Sequence, residues 1–167
     1  MSHTSLREAN LLAACSLAVA DRVQAAAERA AGHGASAPAA LVAVDGPGAG
    51  ASIDVLRRGI GLTHSGAVRL VDRLAAAGLV ERRVGADQRS VSLVLTPAGR
   101  RLARRVRSAR EAEVETILAE LRPDRRRLLT DILEQLLAGL AAGGAPRSSV
   151  CRLCDRQECT DCPFERA

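Results

Sequence analysis

The sequence predicts a mostly α-helical fold in which long terminal helices flank a pair of short helices and a two-stranded hairpin. Phe164 is the only aromatic residue among 167 residues, so the core must be aliphatic, which favours packing of helices on helices. Apolar residues recur every three or four positions in long segments on both sides of the middle. In the middle, two short helical patterns precede two runs of alternating β-branched residues.

The long terminal segments, residues 6–35 and 97–142, are predicted to form one helical region. The first helix has an apolar face and ends near the glycines at positions 32–34. Thr96 and Pro97 suit the start of a second long helix, which is expected to continue to Arg122. Pro123 interrupts the helical pattern, and a further helix is expected over residues 124–142.

Residues 36–96 are predicted to form a winged helix-turn-helix. A short apolar helix at about 38–44 precedes "SIDVLRRGIGL", a short helix with Ser52 as its N-cap. After a glycine-containing turn, "THSGAVRLVDRLAAAGLV" reads as a second helix that Thr63 caps and Gly78 closes. The runs "VERRV" and "SVSLVLT" are typical of a hairpin. The buried face of the second helix is predicted to contain Ala67, Leu70, Val71 and Leu74.

The charge distribution points to a polyanionic partner. Residues 52–110 contain 13 arginines and four acidic residues, a net charge of +9, whereas the other 11 arginines and 15 acidic residues give −4. A basic block in an otherwise acidic chain favours binding to nucleic acid. The alternative interpretation is a solvated, arginine-rich surface.

The second helix of the pair is the predicted DNA-reading element, because an α-helix fits the major groove and its first residues meet the base edges. His64 and Ser65 are candidates for base contact. Arg69 is placed to reach a guanine edge or a phosphate, and Arg73 to reach a phosphate. Val68 is expected to be exposed beside them.

Residues 52–100 resemble the DNA-binding core of the MarR family of bacterial transcription regulators. The resemblance rests on "GLTHSGAVRLVDRL", "GLVER", the D-x-R wing tip and "LTPAGR", in this order. With the terminal helices, it extends over roughly residues 6–142.

The resemblance implies a homodimer, joined by the terminal helices, that binds a pseudo-palindromic site in double-stranded DNA, and it favours a repressor. By position, it implies that Arg89 enters the minor groove, that Asp87 braces the hairpin, and that His64, Ser65 and Arg69 face the major groove. The alternative for Arg89 and Asp87 is an exposed ion pair of little energetic value. Because the chain nearly lacks aromatic residues, no aromatic effector is predicted, and the effector stays unknown.

The composition argues against an enzyme and against a membrane protein. The chain has three histidines, and no nucleophile–base pair or phosphate-binding loop is recognisable. The apolar stretch "LLAACSLAVA" follows Glu8 and lacks the basic segment of a signal peptide. We therefore expect a cytoplasmic protein, and we expect Cys15, on the apolar face of the first helix, to be a buried structural thiol rather than a redox sensor.

Residues 143–167 are predicted to be a linker followed by a metal-binding tail. Four of the five cysteines form the pattern C-x2-C-x4-C-x2-C at Cys151, Cys154, Cys159 and Cys162. Two C-x-x-C pairs can supply four thiolates to one tetrahedral ion. Zinc is the first interpretation, an iron–sulfur cluster is the alternative, and free thiols on an unfolded tail are the third.

Two further expectations concern the surroundings of this tail. We expect Arg152, Arg156 and Arg166 to offset the negative charge of the thiolates. We also expect the tail to lie beside the subunit interface and away from the DNA-reading element.

Overall fold

A computed structural model describes residues 5–46, 51–84, 91–155, 159 and 161–164. The fold is mostly helical with a two-stranded antiparallel sheet, as the sequence predicts. Its elements are, in chain order, α1 (Leu6–Ala31), α2 (Ala37–Val44), α3 (Ile53–Ile60), α4 (His64–Ala76), β1 (Val80–Val84), β2 (Val91–Leu95), α5 (Pro97–Leu118), α6 (Pro123–Ala142) and α7 (Arg147–Val150).

Side-chain caps define where several helices begin. Ser5 and Glu8 form a capping box at the start of α1, and the hydrogen bonds from Ser5 hold the pKa of Glu8 below its usual value. The hydroxyls of Ser52, Thr63 and Thr96 accept hydrogen bonds from backbone amides of α3, α4 and α5. The three predicted N-caps are thus confirmed.

The wing is an antiparallel hairpin whose register runs from Val80 opposite Leu95 to Val84 opposite Val91. The Leu93 amide also donates to the Ala51 carbonyl at 2.9 Å, so the segment before α3 is pinned to β2. These bonds tie the wing to the helix-turn-helix.

The motif "LTPAGR" forms the corner at which β2 turns into α5. The Thr96 hydroxyl donates to the Gly78 carbonyl at 2.6 Å and accepts from the Gly99 amide at 3.0 Å. A Cβ atom at Gly99 would lie 2.0 Å from the Leu79 carbonyl oxygen, a distance that no side chain tolerates. Glycine is therefore required at this position so that α5 can pack closely against the end of α4.

The main core lies inside the winged-helix region and between it and the start of α5. Leu41, Leu56 and Leu93 are among its fully buried members, and all four residues predicted for the buried face of α4 belong to the core or are buried beside it. A second, smaller cluster joins α1, α2 and α5 to Leu153 of the tail. The winged helix is thereby packed on the long helices largely by aliphatic contacts.

Helix α6 differs from the other long helices because none of its residues, all of which the structure describes, is buried. Its apolar side chains are between 41% and 54% exposed at Leu128, Ile132, Leu133, Leu136 and Leu140. The first half of α1 is similar, with exposed Leu6, Leu11, Leu12 and Leu17. These two surfaces lack a partner within the described chain.

Four expectations from the sequence need correction. Helix α5 ends at Leu118, not Arg122, because the chain tightens into a turn in which the Leu121 amide bonds the Leu118 carbonyl. The expected linker contains α7, which packs on α3. Cys15 is exposed, since it lies on the half of α1 that no other element covers. Val68 is half-buried rather than exposed.

Among the described residues, no helix combines the length and the apolarity needed to cross a membrane.

Candidate nucleic-acid interface and cysteine tail

Helix α4 presents one polar face to solvent and buries the other. Ala67, Leu70, Val71 and Leu74 point into the core, which leaves His64, Ser65, Arg69 and Arg73 exposed on the opposite side. These four were predicted to be exposed, whereas Val68, which was predicted with them, is half-buried. An exposed row of donors on an N-capped helix has the chemistry to meet base edges and phosphates.

The start of α4 is held by local hydrogen bonds. The Gly66 amide donates to the Thr63 hydroxyl at 3.1 Å, and a Cβ atom at Gly66 would approach that oxygen to 3.1 Å. A side chain at this position would therefore require the cap to shift by a few tenths of an ångström. Glycine within a helix costs about 1 kcal/mol relative to alanine.

Two ion pairs link α4 to its neighbours. Arg82 of β1 contacts Asp72 of α4 at 2.6 Å, so the wing and the reading helix are held together. Asp54 of α3 contacts Arg57 at 2.6 Å, and its carboxylate lies 3.8 Å from the His64 ring. The bond to Arg57 lowers the pKa of Asp54. These side chains are 36% to 68% exposed, so the pairs fix side-chain positions at the surface and add little to the stability of the fold.

Asp87 and Arg89, the residues predicted for the wing tip, lie outside the described residues. The adjoining strands are described, and Arg82 and Arg83 extend from the exposed part of β1. The described wing is thus basic on its solvent side.

The four tail cysteines lie near one another in two pairs. Cys151 lies beside Cys154, and Cys159 lies beside Cys162, so that within each pair one thiol acts on the pKa of the other. Burial raises the pKa of Cys151 to about 12, with further contributions from Cys154 and Cys162. Burial, followed by the nearby thiols of Cys162 and Cys154, also raises the pKa of Cys159. The two pairs therefore lie close enough to affect each other across the tail, and the neutral thiol form is favoured at Cys151 and Cys159.

The thiols are not arranged as a finished coordination shell. Within the described part of the chain, no group of three or more His, Cys, Asp and Glu side chains is placed to hold a metal ion. The residue types fit a soft cation, since four thiols are the usual donors for zinc and for iron–sulfur clusters. Metal binding would require the two pairs to close together and to lose their protons.

The positive charge beside the thiols comes from a residue that the sequence reading missed. The Arg147 guanidinium acts on both Cys151 and Cys159 and opposes the rise of their pKa values. Of the arginines expected in this role, Arg152 donates to the Ser149 carbonyl at 2.7 Å, and Arg156 and Arg166 lie outside the described residues. Arg147 lies four residues, or about one helical turn, before Cys151 in the sequence, and this spacing could have indicated that its charge lies near the thiols.

The tail packs on two parts of the fold, and its expected place beside a subunit interface stays a prediction. It contacts α3, the first helix of the helix-turn-helix, as well as the long helices. Arg107 of α5 joins Asp45, just after α2, to Asp155 of the tail at 2.7 Å and 3.1 Å. Nothing in the spacing of these three residues predicts that they meet, because they are brought together only by the tertiary fold.

Comparisons with known proteins agree with this architecture. Residues 37–90 match the family model described as the MarR family. No curated protein sequence matches the chain.

Solved structures of bacterial proteins share the fold. The chain is 29% identical to a MarR-family transcriptional regulator from Silicibacter pomeroyi, and the TM-score is 0.57. The match covers 73% of this chain and 84% of that one. It is 25% identical to the MarR-family protein RV2887 from Mycobacterium tuberculosis, solved with p-aminosalicylic acid, with a TM-score of 0.58 and coverage of 80% and 98%. RV1404 from the same organism shares 22% identity and the fold, with a TM-score of 0.67 and coverage of 81% and 94%.

Proposed function

We propose that this chain, a member of the MarR family of transcription regulators, is a homodimeric repressor that recognises a pseudo-palindromic site in double-stranded DNA. The observation that carries the proposal is the exposed polar face of α4. His64, Ser65, Arg69 and Arg73 are all exposed there, whereas Ala67, Leu70, Val71 and Leu74 of the same helix are buried. The donors on this face match base edges and phosphates.

Two neighbouring features support DNA as the ligand. The wing is tied to α4 by the contact between Arg82 and Asp72, so both elements would meet DNA as one unit. The stretch from residue 52 to residue 110 carries a net charge of +9, which attracts a polyanion over a range set by the salt concentration.

The dimer is supported by the exposed apolar stripe of α6 and the exposed leucines of α1. Scattered exposed apolar residues are ordinary, but a contiguous stripe along one helix face marks an interaction surface. A second copy of the same chain offers the same stripe, which makes a two-fold interface self-complementary. Two recognition helices related in this way would read two half-sites about one turn of DNA apart.

The experiment selects a binding duplex from a random pool with the purified protein and measures its affinity for variants of α4. Arg69→Ala should weaken binding by about 1–3 kcal/mol and relax the preference at one base position if it contacts a base edge. Arg73→Ala should weaken binding to all duplexes alike. It should also reduce the slope of log affinity against log salt concentration by about one. Arg127→Ala removes an equal charge from exposed α6 and is the matched control. Equal losses in all three variants would contradict recognition by α4.

A second proposal concerns the tail: its four cysteines bind a metal that controls DNA binding, with zinc as the first candidate and an iron–sulfur cluster as the alternative. The supporting observations are the C-x2-C-x4-C-x2-C spacing and the burial of Cys162, with Arg147 near Cys151 and Cys159. An arginine beside the thiols would offset part of the negative charge that four thiolates bring. When bound, zinc would hold the tail together as a structural ion, and the cluster would add electron transfer.

Anaerobic purification followed by metal analysis and a visible spectrum tests this second proposal. A colourless protein with zinc supports the structural ion, and a brown protein with iron and sulfide supports the cluster. Cys154→Ser should abolish metal retention, whereas Cys15→Ser, which removes the thiol outside the tail, should not. A protein that retains no metal and takes up neither Zn²⁺ nor Co²⁺ would overturn the proposal.

A further inference from the structure

The tail is anchored to the rest of the chain by a partly buried ion-pair cluster. The Arg107 guanidinium contacts the Asp45 carboxylate at 2.7 Å through Nη2 and the Asp155 carboxylate at 3.1 Å through Nε. The side chain of Arg107 is only 14% exposed, and the two carboxylates are 18% and 22% exposed. These are better shielded than the other ion pairs between described residues, so solvent and salt screen them less.

The second anchor is apolar. Leu153 is 8% exposed and packs in a cluster with Ala27 and Ala31 of α1, Ala39 and Val42 of α2, and Val106 of α5. The alanines leave a recess that the larger leucine fills. Ile60, at the end of α3, packs against the same cluster. One tail residue therefore contacts the long helices and the helix-turn-helix at the point where they meet.

Helix α7 adds a backbone contact to α3. A Cβ atom at Gly59 would lie 3.5 Å from the Ser148 Cβ and 3.7 Å from its carbonyl oxygen, so the two helices lie close enough for a methyl group at this position to bridge them. A cavity of about 80 Å³ remains beside this contact, lined by residues that include Val55, Arg107, Cys151 and Cys154. The tail and α3 thus both line this cavity.

The two anchors are adjacent to a candidate metal ligand. Leu153 and Asp155 stand immediately before and after Cys154 in the chain. When Cys154 and the other three sulfurs close around one ion, the backbone of this segment is constrained, and the positions of both anchors are constrained with it.

We propose that the tail is a metal-controlled strap, in which binding of a soft divalent cation by the four thiols fixes Leu153 and Asp155 and thereby holds the helix-turn-helix on the long helices. The proposal rests on the metal site proposed above. The strap in its docked position is the form that binds DNA, because a head of fixed orientation loses less freedom on binding than a loose one. Loading with the cation releases the thiol protons and leaves the oxidation state of sulfur unchanged.

The test compares three variants of the full chain with the wild type, each with Zn²⁺ and after chelation. Leu153→Ala and Asp155→Asn each remove one anchor and keep all four cysteines. Arg152→Ala is the matched control, since Arg152 is an exposed tail residue that donates to the Ser149 carbonyl within the tail. A Co²⁺ titration followed by its thiolate absorption shows whether each variant still binds metal.

We expect Zn²⁺ to tighten binding of the wild type to its selected duplex by about 5- to 150-fold, the usual range of coupling between two sites. Arg152→Ala should keep this response. Leu153→Ala and Asp155→Asn should bind Co²⁺ as the wild type does, yet lose most of the response and bind DNA more weakly. Hydrogen exchange should show faster exchange of the α3 amides in both variants.

The opposite results overturn the strap. They are an unchanged Zn²⁺ response in Leu153→Ala and Asp155→Asn, or tighter DNA binding once an anchor is removed. If the wild type binds no Co²⁺, the proposed metal site is wrong, and the metal-free protein then tests the anchors alone. Leu153→Ala should still bind DNA more weakly than the wild type. Equal affinities of the two proteins for DNA would refute the strap. A wild type that binds no duplex shows instead that the DNA-binding proposal has failed.

Discussion

The winged-helix region and helix α6 are both rich in aliphatic side chains, yet only the first buries them within the chain. Leu41, Leu56 and Leu93 are at most 1% exposed, whereas the apolar stripe of α6 is between 41% and 54% exposed. The winged helix is therefore complete in a single chain. Helix α6 carries apolar side chains that no described residue covers, and this difference supports the proposal that a second copy of the chain covers them.

The largest expected effect comes from a charge placed in the stripe of α6. Leu136→Asp puts a carboxylate into the proposed dimer interface, where an unpaired charge costs roughly 3–5 kcal/mol. We expect a monomer in analytical ultracentrifugation and loss of binding to a two-half-site duplex. Arg127→Asp is the control, because a spacing of nine residues at about 100° per residue puts it on the opposite face of the same helix. A dimer that survives Leu136→Asp would show that α6 is not the interface.

A cavity in the winged-helix core should reduce stability without changing the assembly. Leu93→Ala removes a fully buried side chain, and such a change lowers the free energy of unfolding by about 2–5 kcal/mol. Thermal unfolding should show a lower midpoint while sedimentation at low temperature still reports a dimer. Dissociation of the folded variant would mean that the contact between subunits depends on the winged-helix core as well as on α6, contrary to the burial pattern.

The corner between the wing and α5 should respond more weakly. Thr96→Ala removes the cap of α5 and the hydrogen bond to the Gly78 carbonyl, which together should lower the free energy of unfolding by about 1–2 kcal/mol. Urea unfolding measures the change. Thr130→Ala, which loses only a bond to its own helix at Arg126, should alter stability by less, and a larger effect at Thr130 would argue against this account of the corner.

The local elements were predictable because their signals are local. Ser52, Thr63 and Thr96 mark helix starts through a side chain that bonds a nearby amide. The periodic apolar positions of α4 predicted its buried face, and hence its exposed one. The same reasoning named His64, Ser65, Arg69 and Arg73, and the structure places all four on the exposed face. Their contacts with DNA stay a prediction.

The tertiary contacts of the tail were not predictable in this way. Pro146 and the surrounding small residues suggested a linker, and the short α7 exists because it packs on α3 rather than because its residues favour a helix. The meeting of Arg107 with Asp155 depends on how α5 and the tail are folded together. For Cys15, periodicity predicted a buried thiol, but it could not show that no described residue covers this half of α1.

The most direct test of DNA recognition compares the selected duplex with a shuffled duplex of the same length and composition over a range of salt concentrations. The account predicts that the dimer binds the selected duplex at least about 10³-fold more tightly at physiological salt. It also predicts that both affinities fall steeply as salt rises, because binding releases counterions from the phosphates. Equal affinity for the two duplexes, or an affinity that salt does not change, would contradict it.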